Sequence, residues 1–138
     1  MKKYDIIDHT ADIGVKAYGN TLSEAFGNAA KGMFDIITDK SKIESTGQYE
    51  ITLHADDLEQ LLVDFLSELL FLNSAKNLVF NSFKVKLNEK TRELKASVYG
   101  EEFSLSKHKI GAEIKAVTYH MLEIKKNKIC SAQVLFDI

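Results

Sequence analysis

The chain has 138 residues, 45% of them apolar and 28% charged, with a formal net charge of −2. That length and balance describe one globular domain, residues 1–138, able to bury about two-thirds of the surface its unfolded form exposes. The near-neutral charge argues against a general nucleic-acid binder, which carries a marked basic excess.

The opening residues, Met1-Lys-Lys-Tyr-Asp5, lack the apolar core of a signal peptide. Residues 3–8 and 13–18 read as two short strands on either side of a polar corner, His9–Asp12. Gly19-Asn20 forms a turn. Thr21-Leu-Ser-Glu24 then matches a capping box, and Leu22, Ala25, Phe26, Ala29, Met33, Ile36 and Ile37 follow at helical spacing. Gly27 and Gly32 weaken this helix intrinsically, so their expected use is close packing against a sheet. After a polar stretch, Asp39–Gln48, a strand is expected at Tyr49–Leu53.

Asp56 with Glu59 repeats the capping-box arrangement before a second helix, about residues 57–74. Leu58, Leu61, Leu62, Phe65, Leu69 and Leu72 mark one side, and Val63, Leu66, Leu70 and Phe71 widen the stripe. Such breadth means burial on two sides or contact with a partner, and burial is expected. The stretch Leu58–Leu72 contains Glu59, Asp64 and Glu68, and it is too short and too charged to span a bilayer. Five strands are expected beyond it, at Leu78–Leu87, Leu94–Tyr99, Phe103–Leu105, Ile114–Ile124 and Ile129–Ile138. The expected fold is therefore α+β, a largely antiparallel sheet with two helices packed on it, containing strand–helix–strand units. Cys130, the lone cysteine, allows no internal disulfide and points to a reducing, cytoplasmic setting.

The two ends of the chain carry the candidate chemistry. Asp8 and Asp12 flank His9 and Thr10, and Asp137 lies beside the carboxylate of Ile138. A lone Asp at such a corner is ordinarily an Asx turn or cap, and a lone His beside an apolar run is ordinarily a satisfied structural group. Brought together, the two ends offer hard oxygen donors suited to calcium, magnesium or manganese rather than zinc. A salt bridge to a lysine is the alternative. Glu113–Leu122 alternates apolar residues on both faces, like an interior strand, which makes Lys115 and His120 polar intrusions. Lys115 either pairs with a carboxylate or receives a phosphate. Lys107-His108-Lys109 and Lys125-Lys126 are read as solvated surface. No P-loop, dinucleotide turn, zinc spacing or nucleophile elbow is present.

At these same residues the chain resembles the archease family. The resemblance spans essentially the whole length. It rests on Asp8-His-Thr-Ala-Asp12-x-Gly14 followed by the capped helix Leu22–Ile37, on Asp57-Leu-Glu-x-Leu-Leu62, on Glu113-Ile-Lys-Ala-Val-Thr-Tyr-His120, and on the final Val-Leu-Phe-Asp-Ile. It implies a protein that is not itself an enzyme and that activates an RtcB-type tRNA-splicing RNA ligase. Such a protein promotes guanylylation of the ligase's histidine and its repeated turnover. The resemblance also implies a divalent-cation site, with calcium first and magnesium or manganese as substitutes, whose ligands fall on Asp12, Asp137 and Ile138. Lys115 is similar to a family lysine implicated in activation, and His9 and His120 stand beside it as activation candidates. The expected partner is the ligase, with no strong direct nucleic-acid binding, no membrane, and a monomer favoured. Two rival readings are an autonomous metal-dependent phosphohydrolase and a general chaperone-like binder using the broad Leu58–Leu72 helix.

Overall fold

Two antiparallel strands, β1 (Tyr4–His9) and β2 (Asp12–Gly19), open the chain, followed by the helix α1 (Leu22–Ile37). The computed structural model describes every residue except Thr10, and Lys40 by its backbone alone. Thr21 caps α1 as expected, its hydroxyl accepting the Glu24 amide at 3.1 Å. The returning carboxylate of Glu24 reaches one residue further than a standard capping box and accepts the Asn20 amide at 2.6 Å.

A short 3-10 turn, Lys40–Lys42, leads to β3 (Gly47–His54) and then to α2 (Leu58–Lys76). The cap of α2 falls one residue later than the sequence pattern indicates. Asp57, not Asp56, is the N-cap and accepts the Gln60 amide at 2.7 Å. Leu61, Leu62, Val63, Phe65, Leu66, Leu69 and Leu72 of α2 are all buried, so the wide apolar stripe is spent on packing, while Phe71 stays exposed.

The remaining strands are β4 (Leu78–Asn88), β5 (Glu93–Glu102), β6 (Ala116–Lys126) and β7 (Cys130–Asp137). The fold is α+β with antiparallel pairing throughout, divided between two sheets of order β1-β2-β7-β6 and β3-β5-β4. The expected strand at Phe103–Leu105 is absent. Ser104 instead starts a turn, its carbonyl accepting the amides of Lys107 and His108 and its own amide bonding the His108 ring. This local turn satisfies the backbone without a neighbouring strand.

Helix α1 lies between the sheets and packs on β2 and β7 on one side and on β4 on the other. Its glycines mark the two contacts. A Cβ at Gly32 would sit 2.7 and 2.9 Å from the two Val15 methyls, whereas one at Gly27 would meet the Phe83 carbonyl oxygen at 3.3 Å. Val15 is fully buried and β-branched, so it has little freedom to move aside. Gly32→Ala is therefore expected to destabilise by about 1–2 kcal/mol, overpacking exceeding the roughly 1 kcal/mol gain in helix propensity. Gly27→Ala should fall closer to neutral. Thermal unfolding of the two variants checks this, and equal midpoints would show that α1 can shift off β2.

Candidate functional site at the tip of the four-stranded sheet

The register of the four-stranded sheet brings the two ends of the chain together. His9 stands opposite Asp12, Asp12 opposite Asp137, and Asp137 opposite Ala116. Directly opposed residues share a face, so His9, Asp12 and Asp137 form one row across the tip. Phe136, one residue earlier, is fully buried in the core, and alternation turns Asp137 to the outer face. The hairpin between β1 and β2 closes through Ala11, which holds a left-handed φ of 63°. Thr10, part of the same corner motif, lies outside the described residues.

Strand β6 corrects the reading of Glu113–Leu122 as an interior strand. It lies at the sheet edge, begins at Ala116, and is largely exposed. Thr118 pairs with Leu135, but the next pair is Glu123 with Gln133, so Tyr119–Leu122 leave the ladder as a wide bulge. Met121 takes a left-handed φ of 56°, and its carbonyl accepts the Gln133 amide nitrogen at 2.9 Å. The bulge carries His120 to His9, with ring centroids 5.6 Å apart in an edge-on contact. Side chains from the two outermost strands therefore meet across β2 and β7. The apolar residues of this segment divide between the core, where Val117, Leu122 and Ile124 pack partly buried, and the surface, where Tyr119 and Met121 are exposed, and sequence period alone cannot register that split. Gly14 makes room for Leu135, whose side chain a Cβ there would overlap.

His9 Nδ1 lies 3.6 Å from an Asp12 carboxylate oxygen, both side chains partly exposed. Neither Asp12 nor Asp137 meets a lysine or arginine among the described residues. Two opposed carboxylates without such a partner repel each other, and a hard divalent cation between them removes the repulsion. Asp12 and Asp137 are hard oxygen donors of the kind that suit such an ion. No three His, Cys, Asp or Glu side chains converge for a metal among the described residues.

Lys115 precedes β6, and its amide donates to the Asp137 carbonyl at 2.7 Å, which ties the two candidate residues through the backbone. Its side chain is exposed and forms no ion pair among the described residues. Asp8 is exposed, one residue off the row.

The loop that delivers Lys115 is anchored by a cluster the sequence reading placed on the solvated surface. His108 is buried, with Nδ1 accepting the Ser104 amide at 2.9 Å, which leaves Nε2–H to donate to Glu101 at 3.1 Å. Lys107 binds Glu101 at 2.8 Å and Glu44 at 3.0 Å. Further on, Gly111 and Ala112 donate to the carbonyls of Ile37 and Ile36 at the end of α1. The Lys107 ammonium first, then the Glu44 amide and the His108 ring, hold the Glu101 carboxyl at about 2, down from 4.5, against the opposing effect of burial. A depressed carboxyl stabilises the fold fully above 4.5, and that contribution is lost as pH falls toward 2. Thermal unfolding across that window should therefore fall less steeply in Glu101→Gln than in wild type. Parallel curves would place the acid sensitivity elsewhere.

A model of the Archease protein family matches residues 4–138. The chain belongs to the archease family. Proteins named archease share 43% identity over 128 residues in Pyrococcus furiosus, covering 91% of this chain and 90% of that protein. In Methanosarcina acetivorans the identity is 46% over 141 residues, covering 99% and 97%. The solution structure of Methanobacterium thermoautotrophicum protein 1598 superposes with a TM-score of 0.87 at 38% identity, and each chain is covered completely. The resemblance read from the archease motifs is thus confirmed over the whole chain. Among the described residues, no helix is long and apolar enough to cross a membrane.

Proposed function

We propose that this archease activates an RtcB-type tRNA-splicing RNA ligase, promoting its guanylylation and repeated turnover, and is not itself the enzyme. The observation that supports this most is the Asp12–Asp137 pair, in register on one outer face beside His9 and His120. Asp12, Asp137 and the Ile138 carboxylate would hold a divalent cation, calcium by family resemblance, with magnesium or manganese as substitutes. When bound, that ion supplies positive charge to phosphate oxygens as guanylyl transfer proceeds.

The chain's own residues position the nucleotide. Lys115, exposed and anchored to the Asp137 backbone, orients phosphate oxygens and offsets their charge. His9 and His120, in edge-on contact at 5.6 Å, would line the same site beside Asp12. Burial of most apolar side chains of α2, Phe71 excepted, weighs against the chaperone-like alternative.

The test is multiple-turnover ligation by the cognate ligase at limiting enzyme, with GTP and manganese, with and without this chain. Product rising well beyond one equivalent per ligase only when the chain is present is the expected result. Equal yields without it would sink the proposal. Cleavage of cyclic-phosphate RNA by the chain alone would favour the phosphohydrolase reading.

A further inference from the structure

We propose that a stripe of lysines, running from the start of α1 onto the outer face of the three-stranded sheet, binds the phosphate backbone of RNA. Two neighbouring concavities share Lys84. One, of about 530 Å³, lies between the first residues, the start of α1 and β4, and is lined by Lys2, Lys3, Lys31 and Lys84. The other, of about 390 Å³, lies against β4 and β5 and is lined by Lys84, Lys86 and Lys95. Each has one carboxylate among its described lining residues, Glu24 and Glu50. Both keep their negative charge, but the lysines outnumber them in each concavity.

The lysines are arranged at a cost to the fold. Lys86 stands directly opposite Lys95 in the β4–β5 ladder, and like charges so placed destabilise a sheet. Lys86 has no ion pair among the described residues, and Lys95 reaches Glu93 only at 3.9 Å, in an exposed contact of little worth. Lys84 lies 5.5 Å above the Tyr99 ring and Lys2 binds Asp5 at 2.8 Å. A polyanion laid along the stripe would offset the unbalanced charge that the formal net charge of −2 conceals.

Two concavities in series suit an extended phosphate chain better than a single phosphate. Lysines act as point charges without a rigid fork, so recognition of the backbone would be independent of sequence. A membrane surface fits poorly, because apart from Met1 no exposed large hydrophobic side chain lines the stripe. The choice of RNA among polyanions rests on the ligase-activator reading. The stripe starts at the far end of β1 from His9, about 20 Å away at 3.3 Å per residue. The tip and the stripe can therefore be occupied together.

The experiment is anisotropy of a labelled 20-nucleotide single-stranded RNA titrated with the isolated full chain at several salt concentrations. Wild type should bind at low salt and weaken steeply as salt rises. The K84Q/K86Q/K95Q variant should lose at least about tenfold in affinity, its log–log salt slope shallower by about 2, at about 0.7 per phosphate contact. K42Q/K76Q/K109Q changes net charge equally on surface away from the stripe and should bind like wild type. In the unmodified chain, RNA should protect Lys84, Lys86 and Lys95 from acetylation, a readout independent of any variant. Equal losses in both triple variants, absence of RNA binding by wild type, or binding to phosphatidylserine vesicles alone would overturn the proposal. Asp137→Ala should keep RNA binding intact. RNA binding without ligase stimulation would therefore reject the activator role and leave the stripe standing.

Discussion

Asp137→Ala is expected to hold ligation at the level of the ligase alone, about one equivalent of product, while the chain stays folded. The side chain lies on the outer face, exposed, and opposes Asp12 with no lysine or arginine between them among the described residues. Removing one of two facing carboxylates relieves repulsion, so stability without a divalent ion should be unchanged or higher by up to about 1 kcal/mol. A divalent ion reverses the order. Ligand at 100 times its dissociation constant stabilises a protein by about 2.7 kcal/mol. Calcium or manganese should therefore raise the unfolding midpoint of wild type and leave that of Asp137→Ala in place. Full ligase stimulation by a folded Asp137→Ala would remove the acidic tip from the mechanism. Lost stimulation with an intact calcium response would instead make Asp137 a contact to the ligase.

The largest expected effect on stability belongs to Phe80→Ala. Phe80 is fully buried and meets Phe34 and Tyr49 edge-on, at 5.5 and 5.6 Å between ring centroids, with Phe83 at 6.4 Å. Truncating a buried Phe removes its transfer free energy and leaves a cavity, together about 3–5 kcal/mol. Of a typical 5–15 kcal/mol total, that is a large share. The unfolding midpoint should drop by about 10–20 °C. Phe80 joins α1 to the three-stranded sheet, away from the tip, so ligase stimulation at low temperature should survive. A loss of stimulation in still-folded protein would show that the two sheets are coupled.

Much of this architecture is legible along the chain because it rests on local rules. Thr21 and the apolar spacing behind it mark α1, and the breadth of Leu58–Leu72 foretells a helix buried on several sides. Gly27 and Gly32, unfavourable within a helix, signal close packing before any neighbour is known. Asp12 and Asp137 stand out as carboxylates adjoining strands that end together. Their pairing needs β2 and β7 to be neighbours, and that is a matter of topology.

Other features have no local signature. His108 sits between two lysines and reads as surface, yet the turn at Ser104 folds it inward onto Glu101. Residues Glu113–Leu122 read as an interior strand because both sides carry apolar residues. In the fold they form an edge strand whose bulge doubles back over the sheet to set His120 against His9. The opposed lysines Lys86 and Lys95 depend on the register of β4 with β5.

The sequence pattern misplaces the α2 cap by one residue and adds a strand at Phe103–Leu105. The sequence alone nevertheless determined both helices, the strands in outline, the Thr21 cap, the α+β class and the residues able to carry charge at the tip. These follow from side-chain period and backbone hydrogen bonding within a few residues. Tertiary structure decided the division into two sheets, the register that aligns Asp12 with Asp137, and the fold-over of β6. Each of these depends on contacts between residues far apart in the chain, where many pairings satisfy the same local pattern and only packing of the whole core selects one.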